Sequence, residues 1–244
     1  MKSKSIIIVL LMITISTVSF SFKTIFVVTD TWAPYVYQEN NEVKGVDYEI
    51  MMKVFEKMGY TVNFKFYPWK RCMAMIENKK ADAVLDMNYS EEKSKFMYYP
   101  NEEISDNVLV FFQLKEKNYT FNKLEDLRNL KIGTLVGYEY NKEIREATYF
   151  KKEPVSKIEQ NFKKLILGRL DLFIVSKNVG LFEAKKFGIL DKIKYLPKEL
   201  SGGKNYVAFS KKPVNNMITI KFSETLKEFK TTKEYKKILL KYGQ

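Results

Sequence analysis

The sequence predicts an α/β protein of two similar lobes, with one long crossover near Leu114 and a return near Gly202. Three observations predict it. Apolar runs bounded by turn residues alternate with stretches of helical spacing from residue 24 onward, which is the order of βαβ units. Two distant stretches, MIENKKADAVLDMN at 75–88 and LILGRLDLFIVSKN at 165–178, share one pattern: apolar helix end, polar break, aspartate, apolar strand, polar exit. The 244 residues are 45% hydrophobic, enough to bury one large core or two small ones.

The chain opens on a segment expected to be removed. Lys2 and Lys4 precede an uncharged apolar run at 5–18, and Ser19 and Ser21 have the spacing of a cleavage site before Phe22. The run is shorter than the roughly 20 residues of a membrane span. No cysteine follows it, which argues against a lipid anchor.

Residues 24–29 read as a strand, and Pro34 makes 30–35 a loop carrying Trp32 and Tyr35. Asn40, Asn41 and Gly45 mark turns. Asp47 is expected to cap a helix that runs through Ile50, Met51, Val54 and Phe55 and stops at Gly59. Val62, Phe64 and Phe66 alternate as a strand. Pro68 turns the chain into a helix bearing Trp69, Arg71, Cys72 and Ile76, and 81–87 is a buried strand with Asp82 inside it.

A further strand is expected at 108–114, then a short helix around Leu124 and Leu127 and a strand at 130–135. Helix is expected over 139–147, 158–167 and 178–187, and the chain is expected to restart at Pro154. Strand is expected at 170–175, extended chain at 192–196, and strand at 206–210 after a flexible joint at Gly202-Gly203. Helices at 214–229 and 232–242 close the chain and should pack on the first lobe. The expected division is 1–21 signal peptide, 22–113 with 205–244 as one lobe, and 114–204 as the other.

Composition excludes several functions. There is no histidine, which removes Ser-His and Cys-His catalysis and the commonest zinc chemistry. Cys72 is the one cysteine, so no intramolecular disulfide can form. The formal charge is +13, but the lysines are scattered among acids, without the basic block of a nucleic-acid binder. No metal or cofactor is expected. Polar side chains at the carboxyl end of an apolar strand, where open α/β sheets bind ligands, single out Asp86, Asn88, Ser90 and Lys93.

The sequence resembles the bacterial extracellular solute-binding proteins of family 3, the polar amino-acid-binding group of ABC importers. The resemblance rests on Trp32-Ala33-Pro34-Tyr35, Gly45-Val46-Asp47, Pro68-Trp69, Ala81-Asp82-Ala83, Ser90-Glu91-Glu92-Lys93 and Gly168-Arg169-Leu170-Asp171, in that order. It implies a type II periplasmic-binding-protein-like fold whose lobes close by a hinge on a small polar ligand. It also implies a periplasmic location, a membrane permease of an ABC importer as partner, and a monomer.

Residue by residue, the resemblance places Trp32 as the stacking aromatic and Asp86 and Asn88 beside the ligand's ammonium group. Lys93 stands where the family has a carboxylate-gripping arginine. Gly137-Tyr138 stands at a helix N-terminus facing the carboxylate, and Ser176 at the family's ammonium-binding aspartate. Lysine lacks the bidentate fork, and Ser176 lacks the charge. Trp69 and Arg71 offer a different grip. Two other readings remain open: a sensing module without transport, and a dehydratase-like enzyme using Asp86 or Glu139.

Overall fold

The computed structural model describes residues 23–138 and 140–243. The first half runs β1 (Lys23–Thr29), β2 (Tyr37–Glu39), β3 (Glu42–Lys44), α1 (Val46–Lys57), β4 (Tyr60–Phe66), α2 (Trp69–Glu77), β5 (Ala83–Asn88), α3 (Glu91–Ser94), β6 (Met97–Tyr98) and β7 (Ser105–Leu114). The second runs β8 (Lys131–Leu135), α4 (Lys142–Glu146), β9 (Lys151–Val155), α5 (Ile158–Ile166), β10 (Leu172–Ser176), α6 (Lys177–Lys186), β11 (Ile193–Tyr195), β12 (Leu200–Ser210), α7 (Pro213–Lys230) and α8 (Lys233–Lys241).

The strands order as β4-β1-β5-β12-β7-β10-β8-β9. Parallel β4-β1-β5 and β9-β8-β10 are the same βαβαβ unit built twice. The long strands β12 and β7 lie between them and pair antiparallel. The two lobes of the type II fold hang on this pair.

The echo in sequence has a physical cause. Asp82 ends the turn before β5, and its carboxylate accepts the Phe26 N–H of β1 at 2.9 Å. Asp171 does the same before β10, accepting the Lys131 N–H of β8 at 2.8 Å. Each also donates its own N–H back to that residue's carbonyl, at 2.9 Å in both cases. An aspartate is short enough to satisfy a backbone N–H of the neighbouring strand, so both lobes use it to fix strand register.

Strand residues alternate between two cores. Ile25 and Val27 of β1, Val110 and Phe112 of β7 and Phe173 and Val175 of β10 join one cluster that runs through both lobes, with Phe55 and Phe222. Leu109, Phe111, Leu172 and Ile174 face a second cluster, and Val28, Val84 and Met87 a third. Sheets covered on both faces need near-continuous apolar strands, which is why those runs were legible.

Three local expectations fail. Gly45, not Asp47, is the residue preceding α1, at φ 133°, because a Cβ there would lie 2.1 Å from the Tyr35 carbonyl oxygen. Asp47 sits in the first turn and is fully buried. Pro154 does not restart the chain: it lies inside β9, an edge strand, where its missing N–H costs no ladder bond. The strand expected from 206 already begins at Leu200 and takes in Gly202 and Gly203, with its register shifting between Ser201 and Lys204. Gly202 gives way to the Asn107 side chain, 2.8 Å from where a Cβ would be.

α7 and α8 pack against α1, as expected. The C-terminus is tied there by Tyr242, whose hydroxyl donates to Glu49 and accepts the Gly45 N–H at 2.9 Å. Tyr242→Phe should therefore lower stability by about 1.5 kcal/mol, a hydrogen bond to a charged group lost. That corresponds to a fall of roughly 3–6 °C in melting temperature; an unchanged melt would show the latch contributes nothing.

Candidate functional site

A cavity of about 270 Å³ lies where the two lobes face each other. It is lined from the first lobe by Thr29, Asp30, Thr31, Trp32, Trp69, Asp86 and Asn88, from the second by Gly137 and Tyr138, and from β7 by Asn107. Five of the expected site residues are thus brought together: Trp32, Trp69, Asp86, Asn88 and Tyr138.

The two tryptophans are held by the backbone. Trp32 closes a tight loop in which its N–H donates to Val36 O at 2.7 Å. Its ring stacks on Tyr35 with centroids 4.3 Å apart. Trp69 starts α2, and its N–H donates to Asp30 Oδ2 at 3.0 Å. Asp30 Oδ1 accepts the Thr31 N–H at 2.7 Å, so Asp30 is engaged at both oxygens.

Asp86 is different. It is 7% exposed and sits in β5 at φ 63°, a left-handed conformation that is uncommon outside glycine. The ladder from β5 to β12 shifts register there, between the pairs Met87–Tyr206 and Val84–Ala208. A bulge of this kind re-aims one side chain. Neither Asp86 oxygen accepts a hydrogen bond from any described donor. The neighbouring acid is Asp47 on α1, within hydrogen-bonding reach of Asp86, and Ser105 donates to Asp47 Oδ2 at 2.5 Å.

Burial raises both carboxyls. Asp47 is pushed up to about 6 by desolvation, opposed by the hydrogen bonds from Asp86 and Ser105. Asp86 is pushed well above the usual carboxylate range by desolvation and then by the Asp47 charge. Two neighbouring buried carboxyls cannot both ionise cheaply, which favours the state in which one of them keeps its proton.

On the remaining walls, Asn88 Nδ2 donates to Gly202 O at 3.3 Å and Asn107 Nδ2 to the same oxygen at 3.5 Å. Among the described residues, Asn107 Oδ1 and the Tyr138 hydroxyl are buried without a well-formed hydrogen bond, though Asn107 and Ser176 lie close enough to Tyr138 to oppose the rise of its pKa. Burial pushes the Tyr138 phenol up to about 12.

The other expected residues stand elsewhere. Arg71 is exposed, and its guanidinium lies 4.3 Å from the Tyr67 ring centroid. Lys93 is half-buried in α3, where its N–H donates to Ser90 Oγ at 3.2 Å, and is not among the lining residues. Ser176 is fully buried behind the cavity, 3.5 Å from the Tyr35 hydroxyl, which also accepts from Asn178 Nδ2 at 3.3 Å. Gly137-Tyr138 is not at a helix N-terminus, since α4 begins only at Lys142. Glu139, and the expected signal peptide, lie outside the described residues.

Sequence reasoning missed Asn107 and the partnership of Asp47 with Asp86. The motif Gly-Val-Asp suggested a cap, and only the left-handed turn at Asp86 brings the two acids together.

Comparison with known proteins follows this geometry. The family model described as bacterial extracellular solute-binding proteins, family 3, matches residues 25–244. The probable amino-acid-binding protein YxeM of Bacillus subtilis is 24% identical over 225 residues, covering 86% of this chain and 79% of its own. The arginine-binding extracellular protein ArtP of the same organism is 22% identical, covering 86% and 82%. Among solved structures, the probable amino-acid ABC transporter extracellular-binding protein ytmK of Bacillus subtilis superposes with TM-score 0.76 at 19% identity, over 91% of this chain and 98% of its own. An ancestral arginine-binding protein bound to arginine superposes with TM-score 0.71 at 22% identity, over 91% and 98%.

Proposed function

Because the chain belongs to the bacterial extracellular solute-binding proteins, family 3, we propose that it captures a small polar solute by an amino group in the inter-lobe cavity. It then hands the solute to the membrane permease of an ABC importer. One observation carries the reading: Asp86, buried and without a donor, stands in a cavity walled by both lobes and two tryptophans. Contacts to both lobes are made only when they are closed, so a solute there shifts the population toward closure.

The chain acts as an exported monomer, with residues 1–21 removed, and performs no covalent chemistry. We place the hinge further upstream than residue 114, near Ser105–Asn107 on β7 and 202–205 on β12. β7 residues from Leu109 onward already pair with β10 of the second lobe, whereas Ser105 pairs with Asn205.

A thermal-shift screen of the secreted protein against amino acids, amines and small carboxylates tests this. A solute at 100 times its dissociation constant stabilises by about 2.7 kcal/mol, a shift of roughly 5–10 °C. No shift with any solute, together with no change of radius in X-ray scattering, would overturn the reading.

A further inference from the structure

The charge of the cavity narrows the class of solute, given that the cavity is the binding site. We propose that the solute is a small cation without a carboxylate, an ammonium or guanidinium group on a flat or apolar body. A free α-amino acid needs an anion for one end and donors or a cation for the other.

The described lining residues offer the first and no cation for the second. They include two acids, Asp30 and Asp86, and no lysine or arginine. Asp30 already accepts from two backbone N–H groups, so Asp86 is the acid left to meet a ligand, giving up its proton as a cation takes that place. Arg71, which could have gripped a carboxylate, lies on the Tyr67 ring instead.

The hydrogen-bonding inventory points the same way. Among the described residues, the buried wall atoms without partners are both Asp86 oxygens and Asn107 Oδ1, which accept, and the Tyr138 hydroxyl, which can donate or accept. Three side-chain donors of the wall are already engaged: the Thr29 hydroxyl donates to Leu85 O at 3.1 Å, and the amide groups of Asn88 and Asn107 donate to Gly202 O. A ligand carboxylate would meet neutral donors but no cation among the described lining residues, and it would lie near the Asp86–Asp47 pair, where like charge and desolvation both oppose it. A cation finds acceptors, and the faces of Trp32 and Trp69 favour it further by cation–π attraction.

Volume agrees. A cavity of about 270 Å³ holds roughly nine waters at about 30 Å³ each. That suits a solute on the order of ten non-hydrogen atoms.

The experiment is calorimetric titration of the secreted protein at neutral pH with matched sets: tyramine, tyrosine and tyrosinamide, then agmatine, arginine and argininamide. Each set holds the body constant. The amide has the size of the amino acid without its anion, which separates charge from bulk. We expect one of the amines to bind at least ten times more tightly than its amino acid, with the amide recovering most of the loss. An amino acid that binds as tightly as its amine would overturn the cation class and leave the binding-protein reading intact. So would an amide as weak as the acid, because bulk would then be the cause. No binding by any member, with no lobe closure across the broader screen, would overturn both.

Discussion

Asp86→Asn should lower affinity for the cationic solute at least 100-fold and raise the melting temperature of the unliganded protein. The first effect follows from removing one partner of a buried ion pair, which costs roughly 3–5 kcal/mol. The second follows from the apo site: both Asp86 oxygens are buried without a donor, and the neighbouring side chain is another acid. Asparagine tolerates the left-handed backbone at 86 better than most residues, so the substitution tests charge and not strain. Titration and thermal melts on one preparation read both numbers. Unchanged affinity would remove Asp86 from the site, and a lowered melting temperature would make its carboxyl a structural group. A binding residue that weakens its own scaffold reflects the conflict between stability and function.

The same pair should make apo stability and ligand affinity move in opposite directions with pH. Both folded carboxyls sit above their ordinary range, so the folded chain holds protons that the unfolded chain has released. This stabilisation is complete below about pH 4. For Asp47, raised to about 6, it is lost as pH rises through that value. The loss continues at higher pH for Asp86. A displacement of two units amounts to roughly 3 kcal/mol.

Other groups around the pair do not reverse the sign. Ser105 donates to Asp47. Lys230, the cation acting on Asp47, is held by Glu102 and Glu103 at 2.7 and 3.5 Å. Tyr35 and Tyr235 feel the Asp47 charge but have raised pKa values and stay neutral. Cation binding needs Asp86 ionised, so affinity climbs as apo stability falls. Melts of wild type and Asp86→Asn from pH 5 to 8 should diverge as pH rises, while titrations of wild type tighten. Parallel melts would show that the two acids do not share a proton.

Much of this was legible in the sequence because it is local. The doubled aspartate before an apolar strand announces two βαβαβ units, since Asp82 and Asp171 do the same work by the same short reach. Trp32, Trp69, Asp86, Asn88 and Tyr138 were legible as strand-end and turn residues of those units. What was not legible depends on pairs distant in sequence. Pro154 reads as a restart until β8 is known to lie beside it, leaving β9 at the edge. Gly202 and Gly203 read as lying before the strand until Leu200 and Ser201 are known to pair with β7. Asp47 reads as a cap until a bulge 39 positions on turns Asp86 toward it.

The basic exterior has a consequence for the speed of capture. The full chain has a formal charge of +13, which becomes +11 once Lys2 and Lys4 leave with the first 21 residues, and such a charge repels an approaching cation over a distance set by screening, about 10 Å at 0.1 M salt. Attraction begins only inside the cavity. Encounter is therefore slow in dilute buffer and quickens as salt shortens the range of the repulsion. Escape is governed by buried contacts that salt screens little. Affinity should then rise with ionic strength, the reverse of a site that draws its ligand in by charge. The solute would be met most rapidly in a saline medium, and the acid that holds it would play no part in finding it.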